Sequence, residues 1–148
     1  MLALKVPPPA LFVMTALSMF ALSGFTFQLV NERLLFVAVI WFVSLMIAAA
    51  AIWSFLQLKT TVNPHRPDQS TALVVAGIFH YSRNPMYLSL VLILLGWGVL
   101  LHTMIVVLPV VGFVVYLTYF QIKPEETILM SKFGDDYRQY CAQVRRWL

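Results

Sequence analysis

The sequence predicts an all-α fold: an integral membrane bundle of four transmembrane helices, with an interfacial segment and a C-terminal amphipathic helix. Three observations predict it. Hydrophobic residues make up 61% of the 148 positions and charged residues only 11%, against roughly half and about a quarter in soluble domains. A chain this short cannot bury so much apolar surface in its own core, because small domains leave much of their surface exposed. The apolar residues also lie in runs close to the roughly 20 residues that a helix needs to cross a hydrocarbon layer of ~30 Å. A single membrane domain over residues 1–148 follows.

The first run covers residues 9–30. Lys5 precedes it and Ala21-Leu22-Ser23 loosely resembles a cleavage site. The run is longer than the ~7–15 residues of a signal-peptide core, so it reads as a retained helix. The second run, residues 34–56, carries no charge, and only Asn31-Glu32-Arg33 separates the two, which predicts a tight hairpin. Residues 57–85 form a polar segment with Lys59, His65, Arg66, Asp68, His80 and Arg83, broken by Pro64, Pro67 and Gly77. Its one apolar stretch, 72–76, is too short to span. Residues 85–122 contain no Lys, Arg, Asp or Glu and divide into two spans, 86–102 and 103–122, with a turn at His102-Thr103. Pro85 suits a first helical position, where its missing N–H costs nothing. Pro109 is expected to kink the fourth helix, and Gly96 and Gly98 to permit close helix contact. The tail, residues 123–148, is polar again. Pro124-Glu125-Glu126 reads as a helix start with acidic groups opposing the dipole. Leu129, Phe133, Tyr140 and Val144 then mark an amphipathic interfacial helix, interrupted near Gly134.

With four spans, the N-terminus, the middle segment and the tail share one side. Nine of the ten basic residues lie there and only Arg33 is opposite, so both termini are expected to be cytoplasmic. The net charge of +4 is thereby explained by topology, and no nucleic-acid motif is present. The lone Cys141 excludes an intrachain disulfide and a Cys-x-x-Cys zinc site, and reads as a packing residue. The absence of charge within the spans argues against an ion path.

Two constellations remain. Residues 77–87 place His80, Tyr81, Arg83, Asn84 and Tyr87 at the start of the third helix. Glu125 and Glu126 follow the fourth. Singly, each reads as interfacial architecture. Two passes separate them, however, and a hairpin of that length returns the chain to the side it left. A guanidinium and two carboxylates thus share one mouth, where opposite charges can clamp a zwitterion.

These residues resemble the membrane-integral methyltransferases that include isoprenylcysteine carboxyl methyltransferases and phospholipid N-methyltransferases. The family pattern has a Gly-containing segment, then Arg-His/Asn-Pro-x-Tyr, a hydrophobic hairpin, then Glu-Glu-x-x-Leu-x-x-x-Phe-Gly-x-x-Tyr-x-x-Tyr. The sequence has Leu73 and Gly77, Arg83-Asn84-Pro85-Met86-Tyr87, then Glu125-Glu126, Leu129, Phe133-Gly134, Tyr137 and Tyr140. The resemblance covers about residues 60–146. Asn84 stands where many members have His, which weakens any role there that needs an imidazole.

The resemblance implies S-adenosylmethionine as methyl donor, held by Leu73, Gly77, His80, Tyr81, Arg83, Asn84, Pro85, Tyr87, Glu125 and Glu126, with Arg83 and Glu126 as the catalytic pair and no metal. The chemistry agrees. Arg83 can take the donor's carboxylate through paired N–H bonds. Glu125 or Glu126 can take its ammonium, and Tyr87 or Tyr81 can face its sulfonium through a cation–π contact. Backbone groups from Leu73 to Gly77 can hold the adenine. No Gly-x-Gly-x-x-Gly fingerprint follows a strand, so the donor site must be built from helix ends and loops. The implied partners are the lipid bilayer and a lipophilic acceptor that enters laterally, with a prenylcysteine carboxylate and a lipid amine both open. An amine would lose a proton on methylation, and His80 is a candidate base.

Overall fold

The computed structural model describes residues 6–26, 31–57 and 73–148, and among these all regular secondary structure is helical, with no strand. The expectations for Lys5, residues 27–30, Lys59, His65, Arg66 and Asp68 lie outside the described residues. Helix α1 runs Pro8–Leu22, α2 Asn31–Gln57, α3 Pro85–Leu101, α4 Val107–Tyr116 and α5 Lys123–Gln143. Short 3-10 turns, Gly77–His80 and Met104–Val106, precede α3 and α4, and a π-helical stretch, Leu117–Ile122, joins α4 to α5.

Among the described residues two helical stretches, Arg33–Gln57 and Met104–Gln143, are long and apolar enough to cross a membrane. Apolar helices α1 and α3 are shorter, at 15 and 17 residues. The first helix stops at Leu22, well short of residue 30. Ser23 and Gly24 close it by donating N–H bonds to Met19 and Ala21, and Gly24 and Phe25 take left-handed φ of 71° and 59°. That geometry satisfies the last carbonyls and turns the chain away.

Helices α2 and α3 are antiparallel. Going up α2, Arg33, Trp41 and Ser44 meet His102, Ile93 and Ser89 going down α3. The Trp41 indole N–H donates to the Ile93 carbonyl at 3.1 Å, and the Ser44 hydroxyl to the Ser89 carbonyl at 2.7 Å. In hydrocarbon such donors have no water to turn to, so a partner on the neighbouring helix fixes register. Gly96 lets the Trp41 ring lie directly on the α3 backbone, where any Cβ would collide with it. Helix α1 packs on the other side of α3, and the Trp97 indole donates to the Ala16 carbonyl at 3.2 Å. The main core joins Met19, Leu94, Leu101, Val110, Phe113, Leu117 and Ile122. Helix α2 exposes Leu35, Phe42, Leu45, Met46, Trp53 and Leu56, an apolar face suited to lipid.

One local expectation holds and two change. His102 takes the left-handed conformation at the α3 C-terminus, which makes the turn where the sequence places it. Pro109, however, falls in the first turn of α4, where a missing N–H has little consequence, and the departure from α geometry comes later, at Leu117–Ile122. Pro124 does not begin a helix, because the residue before it, Lys123, and Ile122 are already helical. The π stretch ends just before the proline that would break the i→i−4 ladder. Glu125 and Glu126 therefore do not compensate a free helix terminus.

Candidate active site

Ser82 and Asn84 set the entry to α3. The buried Ser82 hydroxyl accepts the Asn84 N–H at 3.1 Å, and Pro85 is the first residue of the helix. Arg83 and Asn84 are thus held at one end of the bundle, with Tyr87 in the first turn. The α3–α4 hairpin brings Glu125 and Glu126 back to that end. The two stretches meet in direct contact.

Glu126 is the anionic centre. Arg146 donates to both of its oxygens, from Nε at 2.9 Å and Nη2 at 2.8 Å, in the parallel fork that makes Arg–carboxylate pairs strong. Arg83 Nη1 lies 3.1 Å from Oε1. The hydrogen bond to Glu126 raises Arg146 above the usual guanidinium range. Arg83 Nη1 also donates to Cys141 Sγ at 2.7 Å, so the cysteine does more than pack. Arg83 Nε is buried without a partner.

Glu125 is in a different state. It faces no cation. The Tyr87 hydroxyl and the Gln121 amide donate to its Oε1 at 2.6 and 2.7 Å. Burial outweighs those two bonds and pushes its carboxyl up to about 7. Two adjacent carboxylates are therefore poised differently, Glu126 as a paired anion and Glu125 near the midpoint of its titration at neutral pH.

Closing this cluster depends on Gly134. A straight helix of about 20 residues is roughly 30 Å long, so Arg146 could not return to Glu126 along one. At Gly134 the backbone takes φ 52° and ψ −121°, which breaks α5 and folds its second half back. Tyr137, Tyr140 and Val144 then pack with Leu73, Leu129 and Phe133. The Tyr140 hydroxyl donates to the Phe79 carbonyl at 2.7 Å, and burial raises the Tyr137 and Tyr140 phenols above their usual range. Past Val144 the chain is strapped across the α3 start. Arg83 N–H donates to the Arg145 carbonyl at 3.0 Å and Asn84 Nδ2 to the Arg146 carbonyl at 2.9 Å. The Trp147 indole reaches Thr118 at 3.3 Å. Nothing lies within 4 Å of a Cβ built on Gly134. Gly134→Ala is accordingly expected to act through the backbone alone, costing about 1–3 kcal/mol. Thermal unfolding in detergent checks this, and an unchanged midpoint contradicts it.

The structure joins Arg83, Asn84, Pro85, Tyr87, Glu125 and Glu126 in this cluster and packs Leu73 against its tyrosine wall. Tyr87 is buried with its hydroxyl on Glu125, so its ring is part of the core. His80 and Tyr81 are not joined to it. Both are exposed and stack edge-on against each other. Gly77 takes a left-handed φ of 64°, and a Cβ built on it would lie 3.1 Å from the Ser54 hydroxyl of α2. The segment 74–78 also lines an apolar groove of about 610 Å³ with Met46, Ala50 and Trp53. Arg146, Gln121 and Cys141 escape a sequence reading. Arg145-Arg146-Trp147 looks like an interfacial anchor until Gly134 is seen to turn it inward.

A family model described as phospholipid methyltransferase matches residues 33–136. That span contains Arg83-Asn84-Pro85-Met86-Tyr87, both glutamates and Gly134. An uncharacterized protein of Haemophilus influenzae is 54% identical over 63 residues, 43% of this chain and 100% of that protein. No solved structure matches.

Proposed function

The chain belongs to the phospholipid methyltransferase family, which makes it a membrane methyltransferase, and we propose that it moves a methyl group from S-adenosylmethionine to a lipophilic acceptor at the membrane boundary. The observation that carries this reading is the cluster of Arg83, Glu125 and Glu126 at one mouth of the α3–α4 hairpin. The residues fit the donor. Arg83 has a buried Nε with no partner and suits the donor's carboxylate. Glu126 already carries two guanidinium groups, whereas Glu125 has only neutral partners, which makes Glu125 the better ligand for the donor's ammonium. When bound, S-adenosylmethionine supplies an electrophilic methyl group. The chain's contribution is to bind and orient, and positioning of this kind is worth up to ~7–11 kcal/mol of a barrier.

In this reading four helices cross the membrane with the termini on the cytoplasmic side. Polar donor and apolar acceptor then meet where Arg83 and the glutamates lie, and backbone groups from Leu73 to Gly77 hold the adenine. The family description supports a phospholipid amine as acceptor, and the prenylcysteine carboxylate is the other class. Only the amine has to lose a proton. His80 is exposed and its ring meets Tyr81, and no contact to the cluster supports it as the base.

Calorimetry on the purified protein tests the donor. Binding of S-adenosylmethionine that falls at least about tenfold in Arg83→Ala is expected, from the loss of a charge-assisted bond. Absence of binding, or binding indifferent to that change, counts against the reading. Mass spectrometry after incubation with lipid amines and prenylcysteine analogues then separates the acceptors. A non-catalytic membrane role predicts no methylated product from either.

A further inference from the structure

We propose that Arg146 is a further donor-binding residue: together with Arg83 it receives the carboxylate of the methyl donor. This rests on reading the cluster as an S-adenosylmethionine site.

The fork to Glu126 uses Nε and Nη2 of Arg146, and among the described residues Nη1 makes no hydrogen bond. The Arg146 side chain is 33% exposed against 13% for Arg83, so it is the guanidinium that an arriving anion meets first. Charge points the same way. Two guanidinium groups converge on one carboxylate, because Glu125 pairs with neither of them. One anion more would balance the cluster. The residue is also held in place before any ligand arrives. Its carbonyl is fixed by Asn84 Nδ2 at 2.9 Å, the preceding carbonyl by Arg83 N–H at 3.0 Å, and Trp147 is packed into the main core. A side chain so pinned loses little freedom on binding. Glu126 is then a positioning residue that holds both guanidinium groups side by side.

The test compares two ligands that differ only in the carboxylate, S-adenosylmethionine and decarboxylated S-adenosylmethionine, titrated into the full chain in detergent. The unsubstituted protein is expected to prefer the carboxylate-bearing ligand by about tenfold or more, and Arg146→Gln to weaken that ligand by about tenfold while leaving the decarboxylated one within about twofold. Equal weakening of both ligands, or of neither, overturns the proposal. Should Arg146→Gln not fold, Arg146→Lys decides with the same pair: a loss confined to the carboxylate-bearing ligand supports the proposal, and an equal change overturns it. An unsubstituted protein that binds both ligands alike overturns this proposal and leaves the donor reading standing. One that binds neither ends both.

Discussion

Replacing Glu126 with alanine is expected to abolish donor binding and to destabilise the fold by about 3 kcal/mol. The carboxylate accepts from Arg83 and twice from Arg146, and its own side chain is only 17% exposed. Removing it leaves two guanidinium groups facing each other with nothing between them. Breaking a buried pair by deleting one partner costs about 3–5 kcal/mol, and the lower end applies because Arg146 is a third exposed. Glu126→Gln separates charge from shape. The amide keeps an acceptor for one guanidinium, so the stability loss shrinks, yet the two cations still repel and binding still fails. Thermal unfolding and calorimetry on both variants check the pair. If Glu126→Gln binds the donor normally, Glu126 does not organise the site. The consequence reaches beyond one residue, since the strap formed by residues 144–147 is held partly by this ion pair.

The parts of this cluster differ in how far the sequence reveals them, and the difference is physical. Arg83, Tyr87 and the two glutamates are legible because hydropathy marks where the apolar runs end, and a helical hairpin returns the chain to the end it left. The extent of α3 and the position of the turn at His102 follow for the same reason, while the left-handed conformation of His102 does not. The short α1 does not, since the Ser23-Gly24 stop lies inside a run with no charged residue to mark an end. Nor does the division of labour between Glu125 and Glu126, which depends on side chains that are distant in sequence: Tyr87 and Arg83 across a hairpin, and Arg146 across a broken helix. Gly134 is the instructive residue. Its presence predicts an interruption, but only its backbone angles show that the interruption reverses the chain and delivers Arg146 to the site.

Glu125→Gln is expected to stabilise the protein and to disable it, and the balance between the two should follow pH. In the folded chain burial raises this carboxyl from 4.5 to about 7. The fold therefore favours the protonated form. The stability that form contributes is complete below pH 4.5 and is lost as the pH rises through about 7. A displacement of that size corresponds to about 3 kcal/mol. Glutamine keeps an acceptor for the Tyr87 hydroxyl and the Gln121 amide but cannot ionise. Near pH 4.5 variant and parent should unfold alike, and at pH 8 the variant should be the more stable by about that amount. Donor binding should run the other way. An ammonium group requires the carboxylate, so the parent is expected to bind S-adenosylmethionine more tightly as the pH rises through about 7. The variant should bind weakly and without that dependence. Unfolding midpoints at pH 5 and pH 8, with calorimetry at both, decide the matter. An equal stability difference at the two values would mean that Glu125 is not held protonated by the fold. Opposed trends would mean that the carboxylate the fold disfavours is the form an ammonium group needs, so that an entering cation supplies the charge that burial withholds from Glu125.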